Sequence, residues 1–114
     1  MINSVTATAI ESALTGLAAR QRAIADNIAN VNTPGFRAQR VAFEDALADS
    51  IRDGSGRVEA TTQRSLEPTR LNGNNVNLDT ETISNIDTVL RFQFASRAMD
   101  GQFATVRTAL RTSG

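Results

Sequence analysis

Two groups of acids stand out among the residues able to do chemistry: Glu44-Asp45, and Asp79 with Glu81. Paired carboxylates can divide general acid and base work only when both face one substrate. Neighbours on a short helix point in different directions, so Glu44 and Asp45 make a poor pair. Asp79 and Glu81 read better as the opening of a helix, with Asp79 as its N-cap and Glu81 in its first turn. The sequence has no His, Cys, Trp or Tyr. Its many serines and threonines therefore lack an imidazole to activate them, and thiol nucleophiles and the commonest metal ligands are missing. The stretch DGSG at 53–56 is a turn and lacks the lysine and spacing of a phosphate loop. These residues imply a non-enzyme with no cofactor, no metal and no small-molecule substrate.

Side-chain amides are the more informative polar groups. Residues 24–36 read IADNIANVNTPGF, with Asn27, Asn30 and Asn32 among Ile24, Ile28 and Val31. Asparagine forms helices poorly, yet here it interrupts an apolar helical stripe. Asn30 and Asn32 can be read as local caps of a helix end. We expect Asn27, beside the Ile24/Ile28 seam, and with it Asn30, to hydrogen-bond in or next to a seam between chains and fix its register.

The elements that position these groups follow from periodicity. Ile10, Leu14, Leu17, Gln21, Ile24, Ile28 and Val31 follow heptad spacing, so a helix is expected within residues 1–32. Pro34 disfavours helix at Thr33, and Pro34-Gly35 suits the centre of a type II turn. A second helix is expected over 79–114. Its apolar residues form two faces roughly half a turn apart at ~100° per residue: Ile83, Ile86, Leu90 and Phe94 on one, and Phe92, Ala95, Met99, Phe103, Val106 and Leu110 on the other. The irregular middle, 33–78, holds a short helix from Phe43 through Leu47 and Ile51 to Asp53-Gly54. It also holds candidate short strands at Arg57–Gln63 and around Val76 and Leu78, with a turn at Asn72-Gly73. The fold class is mainly α: long terminal helices packed as a coiled coil in one domain. They should pair antiparallel, with Ile10, Leu14, Leu17, Ile24 and Ile28 facing part of the C-terminal helix.

Twelve basic residues, all arginine, balance twelve acids. Zero net charge argues against a nucleic-acid or anionic-membrane binder. The N-terminus lacks the basic and continuous apolar regions of a cleavable signal peptide.

Residues 13–38, ALTGLAARQRAIADNIANVNTPGFRA, closely resemble the N-terminal signature of flagellar rod, hook and hook-associated proteins; NIANVNTPGF is the most specific part. The short length, NGNNVNLDTE at 72–81 and LRFQFASRAM at 90–99 are similar to the short rod proteins of that family. The resemblance covers most of the chain and weakens over about residues 44–70. It implies a structural subunit of the bacterial flagellar basal body, in the periplasmic rod, built into a tube around the export channel. The implied partners are copies of itself, other rod proteins, a FliE-type adaptor, membrane-ring proteins and the flagellar type III export apparatus. By the same resemblance the assembly-motif positions are Asn27, Ile28, Asn30, Asn32, Thr33, Pro34, Gly35 and Phe36, followed by Gly73, Asn74, Asn75, Val76 and Leu78. The helix seam would comprise Ile10, Leu14, Leu17, Ile24, Leu90, Phe94, Met99, Phe103, Val106 and Leu110. Relatives often carry a small or polar residue at Val31 and tyrosine at Phe36. A coiled-coil adaptor or chaperone is the rival reading, but it does not require the TPGF and NGNNVNLD motifs.

Overall fold

A computed structural model describes residues 4–113. Two long helices, α1 (Ser4–Ala29) and α3 (Leu78–Ser113), flank a middle containing β1 (Gln39–Ala42), α2 (Glu44–Arg52) and β2 (Thr61–Arg64). The particle is a slat of 67 × 25 × 15 Å. Mainly helical architecture and long terminal helices agree with the sequence reading.

The helices run antiparallel. The cluster containing Leu17 packs against Phe92 and Ala95. Further along α1, Asn27 bonds Gln39, whose neighbour Arg40 reaches back to Glu81. Rising numbers on α1 therefore meet falling numbers on α3. The core is small: Leu17, Ala23, Val41 and Phe43 are buried together. Gly16 makes room for Phe43, because a Cβ there would lie 2.5 Å from the ring. The Arg20 guanidinium caps the same ring from 4.9 Å.

Helix α1 stops at Ala29, three residues before the expected end near Asn32. Its last carbonyls are taken by tighter bonds, Val31 N–H to Ile28 O and Thr33 N–H to Asn30 O. The turn at Pro34-Gly35 forms as expected: Phe36 N–H donates to Thr33 O at 3.2 Å, and Gly35 has φ +75°. The strand expected over Arg57–Gln63 is shorter and later, and pairs antiparallel with β1, with Gln39 opposite Arg64 and Ala42 opposite Thr61.

Three local expectations are corrected. The N-cap of α3 is Asn77, not Asp79; Asn77 Oδ1 accepts from the N–H groups of Asp79 and Thr80. Val76 and Leu78 form no strand. Val76 lies buried in a loop bonded by asparagine and arginine side chains, and Leu78 opens α3. The third correction concerns the seam. Leu17 and Ile24 are buried, and Ile10, Leu14, Met99 and Val106 are partly so. Leu90 and Phe94 instead face outward, 61% and 77% exposed, and Phe103, Leu110 and Ile28 are also exposed. The inner side of α3 carries Glu81, Ser84, Thr88 and Ala95. These small and polar residues, with Phe92, occupy the packed side and leave the larger apolar stripe outside.

Candidate assembly site

The two asparagine motifs meet at one end of the slat and bond each other. Asn74 is fully buried, and its Nδ2 donates to the carbonyls of Asn30 and Thr33, both at 2.8 Å. Its Oδ1 accepts from Val76 N–H and from Arg70 Nη2, again at 2.8 Å. One amide thereby ties the end of α1 to the loop before α3. Asn75 is used as fully: its Oδ1 accepts from Ala38 N–H, and its Nδ2 donates to Ser65 and Glu67 carbonyls. Main-chain bonds from Gly35 N–H to Asn72 O and from Asn75 N–H to Phe36 O complete the joint.

Glycine is required where the turns touch. Gly73 has φ +83°, and a Cβ on it would sit 3.2 Å from Gly35 Cα. A side chain would meet both a left-handed backbone and a neighbouring main chain.

Arg70 holds the joint from the outside. Its Nη2 donates to Val31 O and its Nη1 to Val76 O, each at 2.7 Å. Arg40 supplies a second clamp: its Nη1 is 2.7 Å from Oε1 of Glu81, whose side chain is fully buried. Sequence reasoning missed both arginines. Periodicity marks apolar faces and says nothing about which guanidinium reaches a carbonyl across some 40 residues of chain. Glu81 does lie in the first turn of α3, as expected, but its carboxylate also anchors α3 to β1.

Within the chain Asn27 does a different job from the one expected, whereas Asn30 follows its capping reading. Asn27 is fully buried within its own chain, its Oδ1 accepting from Gln39 N–H at 2.8 Å and its Nδ2 donating to Gln39 O at 3.0 Å. It fixes β1 against α1, because these bonds satisfy the main chain that α1 brings closest. Asn30 is a local cap: its Nδ2 bonds Asp26 O, and its Oδ1 accepts from Thr33 Oγ1. Asn32 and Pro34 are exposed, and Phe36 lies under the Arg64 guanidinium at 5.0 Å.

A second clasp lies near mid-length. Arg20 donates to both oxygens of Glu44 at 2.6 Å and to Val41 O at 2.7 Å. The hydrogen bond from Arg20 holds the Glu44 carboxyl below its ordinary range, against the opposing effect of burial. Glu44 in turn raises the Arg20 pKa. Arg91 of α3 approaches the same carboxylate at 3.5 Å. The expected poor pairing of Glu44 with Asp45 is explained further, since Glu44 is committed to this clasp.

The outer side of α3 presents Ile83, Ile86, Leu90 and Phe94, all more than half exposed. Beside it runs an apolar groove of about 390 Å³ whose lining includes Leu17, Phe43, Leu47, Leu90 and Phe94. Among the described residues, no cluster of acids could hold a metal ion, and no helix is long and apolar enough to cross a membrane.

A polar joint beside a long helix with an uncovered apolar stripe suits a building block. The family described as flagella basal body rod protein matches residues 9–37, which run through α1 and the Pro34-Gly35 turn. The stretch this family model matches includes the whole NIANVNTPGF motif. The particular protein resembled is FlgB. The chain is 29% identical to FlgB of Bacillus subtilis (strain 168) over 119 residues, covering 89% of each chain. It is equally identical to FlgB of Escherichia coli (strain K12) over 124 residues, covering 90% of each. These likenesses support a structural component of the flagellar rod in the basal body.

Proposed function

We propose that the chain is a FlgB-like subunit of the proximal rod, one rod-type unit that assembles with copies of itself and with other rod proteins into a tubular drive shaft around the export channel. The observation that carries this reading is the apolar stripe on α3, which the described residues leave exposed while the two motifs are bonded together at the base of the helix. Each large apolar side chain withdrawn from water contributes about 1.5–3 kcal/mol. A repeating assembly supplies that burial at every contact.

On this reading the subunit reaches the periplasmic side through the flagellar type III apparatus. It meets a FliE-type adaptor and the membrane-ring proteins at the base of the rod. It needs no cofactor, nucleic acid or small-molecule substrate and has no enzymatic activity. A FlgC-like short rod protein is the alternative within the class, and NGNNVNLD fits it less well. The test is complementation of a strain lacking its own copy of this gene, with secretion and rod completion scored separately. The unaltered gene should restore rods. Ile86→Asp, at an exposed position, should leave the subunit folded and exported but stop the rod. Normal rods from that variant would refute the role of the stripe.

A further inference from the structure

The outer stripe of α3 is self-complementary when reversed. Ile83 and Phe94 lie symmetrically about a point between residues 88 and 89, and Ile86 and Leu90 about residue 88. The charges share this centre. Asp79 and Arg97 are equidistant from residue 88, and Asp87 and Arg91 from residue 89, with opposite sign in each pair. Asp79 and Arg97 are separated by eighteen residues, or five turns at ~3.6 residues per turn. They therefore lie on one line along the stripe, just beyond its two ends.

We propose that the free subunit forms an antiparallel dimer with a second copy, α3 against α3, about a two-fold axis near residue 88. Ile83 then packs on the partner's Phe94, and Ile86 on the partner's Leu90. Asp79 of each copy meets the partner's Arg97 at both ends of the contact. A two-fold axis normal to the plane of the helix pair brings the acidic end of each stripe against the basic end of the other.

Ordinary helix electrostatics does not account for Arg97. The helix dipole acts within the first and last turns, and α3 continues from Arg97 to Ser113. Neither Asp79 nor Arg97 makes an ion pair among the described residues, although Asp87 and Arg91 pair with each other at 2.9 Å. The contact uses one helix face per copy and is smaller than the ~1,200 Å² typical of stable complexes. It forms a reversible dimer that shields the stripe while the subunit is free. This inference does not depend on the rod reading, since a two-fold antiparallel pair cannot repeat along a polar tube.

The experiment is sedimentation equilibrium of the purified full chain and of two variants, alone and mixed. Asp79→Arg places arginine opposite arginine at both ends, and Arg97→Asp places aspartate opposite aspartate. Each variant alone should dimerise at least about tenfold more weakly than the unaltered chain, given two reversed contacts per dimer. An equimolar mixture should recover the lost affinity as a heterodimer. Leu90→Gln, at an exposed site, should abolish dimers while circular dichroism shows unchanged helix. A monomer at every concentration up to the solubility limit would overturn the proposal, as would open-ended oligomers or a mixture no tighter than its components. Rod completion in cells tests the proposed function separately, so either idea can fail alone.

Discussion

Replacing Asn74 by alanine should cost this fold about 3 kcal/mol. The amide makes four hydrogen bonds, each 2.8 Å, from a fully buried side chain. The carbonyls of Asn30 and Thr33 lie at a partly open turn, so water can replace one lost partner at a net cost of about 0.5–1 kcal/mol each. The Val76 N–H has no such recourse. Val76 is 1% exposed, and an orphaned buried donor costs about 1–3 kcal/mol. Arg70 retains bonds to Val31 and Val76 and adds little. Urea and thermal unfolding followed by circular dichroism measure the loss. At this chain length the melting temperature should fall by about 10–15 °C. Hydrogen exchange should show the Val76 and Gly35 amides opening before the Leu17 region. A loss below about 1 kcal/mol, or unchanged exchange at those amides, would refute the view that this side chain joins the two motifs.

Other perturbations probe separate links. Asn27→Leu should destabilise the isolated subunit by about 1–3 kcal/mol in urea unfolding, because it strands the Gln39 N–H and leaves the Gln39 carbonyl to the Arg40 guanidinium alone. Gly73→Ala should cost about 1–3 kcal/mol in the same assay, from its left-handed backbone and the approach to Gly35. Leu17→Asp places an unpaired charge at a site only 3% exposed and should prevent stable folding, seen as loss of helical circular dichroism. The clasp gives a pH signature. Glu44 has its carboxyl lowered from 4.5 in the folded chain, so it stabilises the fold above that value and progressively less as the pH falls through its lowered folded value. Glu44→Gln should lower stability at neutral pH and match the unaltered chain in acid, as comparative melts would show.

Much of the architecture was legible because it rests on local rules. Heptad spacing located α1, the four-residue recurrence of Phe43, Leu47 and Ile51 located α2, and Pro34-Gly35 located the turn. The errors lie where side chains satisfy main chain, locally at the start of α3 and elsewhere at long range. Asn77, not Asp79, capped α3 because the loop from Asn74 onward is built of asparagine turns, and the helix begins as soon as they end. Asn27 looked like a group awaiting another chain, since a single sequence cannot show that Gln39 returns to lie beside it. Two faces were correctly seen on α3. Which of them would pack inward was not visible, because Glu81 and Thr88, both buried, look like solvent-facing residues in the sequence. Thr88 escapes the usual penalty by bonding the Ser84 carbonyl of its own helix.

The joint between the motifs also sets an order of events. Its bonds link positions far apart in the chain: Arg70 with Val31, Asn74 with Asn30 and Thr33, and Asn75 with Ala38. A chain that appears from its N-terminus can coil α1 early, but the end of that helix stays unfastened until Asn74 and Asn75 arrive. Closing a loop of this length carries an entropic cost that grows only as ~(3/2)RT ln n, so the delay is set by waiting for the second motif rather than by the search for it. Completion of the first helix is thus timed by residues placed just before the last one. A chain truncated before Asn74 would carry the first motif yet lack the means to fix it.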